Sequence, residues 1–148
     1  MDDLVAFLRA RLDEDEAIVR TLAEPPDWHT GPGDDPGWTD ESVVCMWPPE
    51  HHTPYEQDKH WRGLTASSPE LAAHIARHDP ARVLRDIEAV RGVLGIYDQM
   101  APGLDGPDAG TRGAARMTLH ILRPALRHLA RAYADHPDYR ADEWTPEI

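Results

Sequence analysis

Apolar residues recur every three to four positions through most of this chain, and the rhythm stops only in one long middle stretch. From Asp2 to about Glu24, Leu4, Leu8, Leu12, Val19 and Leu22 form a stripe with Phe7 and Ile18 beside it. That is the 3.6-residue period of an amphipathic helix, and Pro25-Pro26 ends it. The rhythm returns at Ser68. A capping hydroxyl, Pro69 at the first helical position and Glu70 in the first turn predict a helix over 69–78. Asp79-Pro80 repeats the cap-plus-proline signal and opens a longer helix to about Met100, with Val83, Leu84, Ile87, Val90, Leu94 and Tyr97 as its stripe. The prolines and glycines of Ala101–Gly110 predict a loop. Thr111 is then expected to cap a last helix to about Tyr133, buried through Ala115, Leu119, Leu122, Leu126, Leu129 and Tyr133 and kinked at Pro124. The tail 134–148 carries Pro137 and Pro146 and is expected to be irregular.

Residues 25–66 are different material, rich in Pro, Gly, Trp and His. The only extended signal is Ser42-Val43-Val44-Cys45-Met46-Trp47, bounded by Pro48-Pro49. Four tryptophans (Trp28, Trp38, Trp47 and Trp61) fall in this stretch, too much apolar area for a free tail. The expected fold is therefore mainly α: a single domain, a bundle of three to four helices, with an irregular Trp/Pro-rich insert at 25–68 that has room for one short β-hairpin. A chain of 148 residues is large enough for such a core without staples.

Composition narrows the chemistry. A single cysteine, Cys45, excludes an internal disulfide framework and fits a reducing cytoplasm. There is no basic-then-apolar leader and no apolar run near the length of a membrane span, so neither secretion nor a membrane is expected. The net charge of −12 argues against duplex DNA or an anionic membrane as partner. The charge is unevenly placed. Residues 1–24 carry seven acids against three arginines, and 25–68 carry eight acids against two bases. The rest of the chain is nearly balanced.

Against that background, His74 and His78 stand out. They are four residues apart, within about 60° of Leu71 and Ile75 on a helical wheel. Two imidazoles at that spacing can ligate one metal ion, as in helical zinc and iron sites, although Ile75 stands where a metalloprotease helix would carry glutamate. The alternatives are a pair of semi-buried histidines bonded to carboxylates, or a His78 that merely covers the helix end. Asp79 is accounted for by its capping role. Asp15 interrupts the apolar stripe of the first helix and must be paired or functional if buried. It pairs internally with Arg11, or it turns, with Glu16 at the edge of its face, toward His74 and His78. His136 or Asp138, in Tyr133-Ala134-Asp135-His136-Pro137-Asp138-Tyr139, could add a ligand from a proline-held turn; otherwise this is a surface turn with Asp135 and Asp138 as caps. Cys45, His51, His52 and His60 match no trusted metal spacing. Arg116, Arg123, Arg127 and Arg131 share one side of the last helix with His120, a basic stripe expected to offset the acidic half within the molecule or across a dimer.

Arg11-Leu12-Asp13-Glu14-Asp15-Glu16, the string His74-Ile75-Ala76-Arg77-His78-Asp79-Pro80-Ala81-Arg82-Val83-Leu84 and the run Tyr133–Arg140 together resemble a family of small actinobacterial, phage-like proteins of the domain-of-unknown-function class. The resemblance covers roughly the first 20 residues and everything from 70 onward. It implies a cytosolic accessory protein of mobile-element character and supplies no activity. The leading expectation is thus a zinc site, structural or hydrolytic, with His74 and His78 as ligands and Asp15 or His136 completing the shell. The alternative is a metal-free acidic interaction protein, a DNA mimic for instance, that binds a basic protein partner through the first helix and the insert.

Overall fold

A computed structural model describes residues 1–22, 28–30, 43–45 and 63–146. The insert's His51, His52, His60, Trp38, Trp47 and Trp61, and the side chain of Cys45, lie outside the described part. Among the described residues the chain is mainly helical. In order these are α1 (Asp2–Thr21), β1 (His29–Thr30), β2 (Val43–Cys45), β3 (Gly63–Thr65), α2 (Pro69–Arg77), α3 (Pro80–Met100), a 3₁₀ turn (Ala101–Asp105), α4 (Ala109–Ala130), a second 3₁₀ turn (Arg131–Tyr133) and the short α5 (Ala141–Trp144). No described helix is long and apolar enough to cross a membrane. Contacts gather in two units, one of Met1–Asp15 with Ile87–Ile148 and one of Glu16–Asp86.

The first unit buries Leu4, Val5, Phe7, Leu8 and Leu12 of α1, Ile87 and Leu94 of α3, and Ala115, Leu119, Leu122, Leu126 and Ala130 of α4. The α4 set recurs every three to four residues, the α1 set falls at 4/5, 7/8 and 12, and Ile87 and Leu94 are two turns apart, so each helix contributes one stripe. Polar pairs tie α1 to α3: Arg9 to Asp98 at 2.5 Å, Arg91 to Asp13 at 2.6 Å, and the Tyr97 hydroxyl to Asp2. The chain after α4 lies along α1, held by Arg140 on Asp3 at 2.9 Å and by the Tyr133 hydroxyl on Asp15 at 2.7 Å. The expected irregular tail contains α5, whose Trp144 is buried and sits 4.9 Å from the Phe7 ring. α4 runs through Pro124 as one helix. It begins two residues before Thr111, because Asp108 is the stronger cap: its carboxylate accepts the Thr111 N–H at 2.8 Å and the Thr111 hydroxyl at 2.6 Å. These bonds hold the Asp108 carboxyl below its ordinary range. The preceding 3₁₀ turn packs on α4 so closely that a β-carbon on Gly106 would meet Thr111 Cγ2 at 2.6 Å.

The second unit holds a small antiparallel sheet in the order β1-β2-β3. Thr30 faces Val44, and Val44 faces Leu64 in turn. The extended signal at Ser42–Trp47 is thus β2, the central strand. One hairpin partner was allowed for; the structure gives two, β1 and β3, which at two and three residues are too short to show an alternating pattern. α2 packs on β1 and β2, with Ala72 fully buried. Ser68 Oγ accepts the Leu71 N–H at 3.3 Å and starts α2, and Asp79 Oδ1 accepts the Arg82 N–H at 2.6 Å and starts α3. Both starts fall where the cap-plus-proline pattern places them. At the far end of α1 the stripe fails: Val19 is buried, but Ile18 and Leu22 are exposed.

Candidate metal centre

The cap at Ser68 sets the phase of α2, and its C-terminus sets the histidines. His78 is the closing residue, its N–H shared between the carbonyls of His74 at 3.3 Å and Ile75 at 3.1 Å. The side chains of His74 and His78 therefore project from the same last turn. Their ring centroids are 4.6 Å apart at an interplanar angle of 51°. Both residues are exposed, whereas the buried contact of α2 is made by Ala72, with Ile75 and Ala76 half-buried. The wheel placed the pair beside Leu71 on the apolar face, but Leu71 is itself exposed at 42%. The helix meets the sheet through its small residues, one step around from the side that hydrophobicity alone selects. The semi-buried, carboxylate-bonded alternative for these histidines does not hold.

Two imidazole nitrogens about 2.0–2.1 Å from a tetrahedral ion would put their ring centroids roughly 5 Å apart, a separation close to the 4.6 Å between these rings. Among the described residues no group of three or more His, Cys, Asp or Glu side chains gathers as a ligand set.

Asp15 and His136 lie in the other unit. Asp15 does not pair with Arg11. It accepts the Tyr133 hydroxyl, while Arg11 reaches Glu14 at 2.8 Å. His136 Nδ1 accepts the Asp138 N–H at 3.1 Å, so His136 itself caps the turn that Asp135 and Asp138 were expected to cap. The His136 ring packs edge-on against Phe7 at 5.8 Å, leaving Nε2 as its free donor or acceptor.

Sequence reasoning missed the aromatic cluster centred on Phe7, which Tyr133, His136, Tyr139 and Trp144 surround at 4.9–6.3 Å. The Tyr residues flanking His136-Pro137 were the available signal. Burial first, then the Asp15 carboxylate that accepts its proton, push the Tyr133 phenol well above its ordinary range, with Arg11 opposing. The hydrogen bond to Asp2, with burial second, raises Tyr97 to about 12. A phenol raised on folding contributes stability that is fully present below the unfolded value near 10 and is lost as pH climbs through the folded one. Denaturant unfolding is therefore expected to show a falling midpoint between about pH 10 and 12. The Tyr97→Phe, Tyr133→Phe double variant should flatten that fall. An equal fall in both proteins would show that the loss originates elsewhere.

The model of a family of unknown function, DUF6221, matches residues 1–146, and the chain belongs to that family. The match runs through the insert as well as the helices on either side. No curated protein and no solved structure matches the chain.

Proposed function

We propose that the protein is a helical accessory protein that holds one divalent transition-metal ion, zinc by preference, on His74 and His78. The observation that supports this is the exposed imidazole pair, 4.6 Å apart on the last turn of α2. Imidazole suits zinc, and two protein ligands leave two tetrahedral positions for water or for donors of a bound molecule. With water there, the ion supplies a nucleophile for hydrolysis; with donors from protein, it is a structural clip. Asp15 and His136 stand outside this core proposal, because each already commits an atom to Tyr133 or Asp138. The likeness to small phage-like proteins favours an accessory role in the cytoplasm over a metabolic one.

The rival reading, a metal-free acidic protein docking a basic partner through α1 and the insert, draws less support from α1; the acids of the insert lie outside the described residues. Every carboxylate of α1 is engaged internally: Asp2 by Tyr97, Asp3 by Arg140, Asp13 by Arg91, Glu14 by Arg11, Asp15 by Tyr133 and Glu16 by Arg20.

Isothermal titration of the purified, untagged protein with Zn²⁺ is expected to give about one ion per chain, with a melting temperature that rises on loading and falls on chelation. His74→Leu with His78→Leu should abolish the ion and leave the apo fold intact, since both side chains are exposed. Unchanged stoichiometry in that variant, or no uptake by the wild type, would defeat the proposal.

A further inference from the structure

α4 presents an unusual surface for a chain of net charge −12. From Ala109 to Ala130 it contains Arg112, Arg116, Arg123 and Arg127, two histidines and no acid, and Arg131 follows directly. Arg112 donates to the Gly106 carbonyl at 2.7 Å. Arg116, Arg123 and Arg131 are exposed and make no hydrogen bond or ion pair among the described residues. The basic stripe was expected to offset the acidic half within the molecule or across a dimer. Among the described residues the acids of α1 take their partners from α1 itself, α3 and the C-terminal segment, and none pairs with Arg116, Arg123 or Arg131.

Beside the arginines runs an apolar strip. Met117 is 61% exposed and Ile121 68% exposed, and Pro124 is exposed one turn on. At 100° per residue, Ile121 and Pro124 lie within about 40° of Met117, whereas Arg116, Arg123 and Arg127 lie roughly 80–120° to one side. The buried stripe of Ala115, Leu119, Leu122 and Leu126 is on the opposite side. α4 thus has three arcs: one in the core, one basic, and one apolar in solvent.

We propose that this outer face of α4 docks an acidic amphipathic protein segment, whose apolar residues cover Met117, Ile121 and Pro124 and whose carboxylates meet Arg116, Arg123 and Arg131. Charge complementarity selects the occupant. Free guanidinium groups with no acid on the same helix call for an anionic partner, and planar guanidinium forks suit carboxylates bidentately. An apolar centre flanked by charge is the layout of a protein interface. A phosphate chain fits worse, because it offers no apolar side chains to cover Met117, Ile121 and Pro124.

The test uses the full chain and a fluorescein-labelled, roughly 20-residue helical peptide with Leu at i, i+3, i+4, i+7 spacing and Glu beside it. A second peptide has the same composition scrambled. Saturable anisotropy is expected for the first peptide, at least tenfold weaker for the scrambled one. It should also weaken at least tenfold in Met117→Ser with Ile121→Ser and, separately, in Arg116→Glu with Arg123→Glu. All four positions are exposed, so circular dichroism should be unchanged. Equal binding of both peptides, or indifference to Met117 and Ile121, would overturn the proposal. So would tighter binding to a 20-base-pair duplex or to anionic phosphatidylglycerol vesicles, or a dimer in solution that the Met117/Ile121 variant dissolves.

Discussion

Phe7→Ala is expected to destabilise the protein by about 3–5 kcal/mol, the largest effect of any single replacement considered. Phe7 is 8% exposed, and four rings from the C-terminal segment close on it: Trp144 at 4.9 Å, His136 at 5.8 Å, Tyr139 at 6.1 Å and Tyr133 at 6.3 Å. The Arg11 guanidinium covers it at 5.5 Å. Truncation removes the apolar transfer energy of the ring and leaves a cavity bordered by groups that belong to a chain terminus and cannot all follow. Apart from these rings, the segment is tied to α1 by the Tyr133–Asp15 hydrogen bond and by the Arg140–Asp3 pair, an exposed pair of small worth. The melting temperature should fall by roughly 6–20 °C. Ile121→Ala, at a site 68% exposed, should change stability by no more than about 0.5 kcal/mol. If Phe7→Ala costs less than about 1 kcal/mol, the cluster is not what holds the C-terminal segment.

Arg11→Met should behave in the opposite way, leaving stability unchanged or raising it by about 1–4 kcal/mol. Arg11 is 7% exposed, yet within the protein only its Nη2 is bonded, to a Glu14 carboxylate whose side chain is 60% exposed. Nε and Nη1 are buried without a protein partner. A guanidinium so placed has lost its hydration for one hydrogen bond and a ring face. A methionine of similar length keeps the contact with Phe7 without that desolvation. The counterweight is the Asp15 carboxylate nearby, which keeps its Tyr133 bond but loses a favourable charge. Equilibrium urea unfolding of Arg11→Met and Arg11→Ala separates the two parts of the side chain's role. The alanine variant should be the less stable, because it opens a cavity. A loss above about 2 kcal/mol in Arg11→Met would show that the charge itself holds the unit together.

What could be read from the sequence follows from how local each signal is. The starts of α2 and α3 were legible because a cap and a proline act within four residues, and the hydrogen bonds of Ser68 and Asp79 occur there. The core stripe of α4 was legible in Ala115, Leu119, Leu122 and Leu126, which repeat with the helix and face inward, whereas Leu129 and Tyr133 of the expected stripe are half-buried and Ala130 takes the inward position at the helix end. The start of α4 was misplaced by the choice between two adjacent capping types, Asp108 and Thr111, which in the structure bond to each other. The partners of β2 lie 13 and more residues away and carry no periodic pattern, so only tertiary contact reveals them. The exposure of His74 and His78 was hidden for the same reason: Ala72, not Leu71 or Ile75, is the residue the sheet buries. Asp15 was legible as an anomaly, but its partner Tyr133 is 118 positions distant, and helical spacing pointed instead to Arg11.

The central claim is that His74 and His78 together hold a divalent ion, and imidazole nitrogen NMR during a zinc titration tests it most directly. With nine histidines in the chain, each ring reports separately. One nitrogen of His74 and one of His78 are expected to shift together and saturate at about one Zn²⁺ per chain, while His136, bonded through Nδ1 to the Asp138 amide, stays unmoved. Zinc that shifts other histidines and leaves His74 and His78 at their apo positions contradicts the claim.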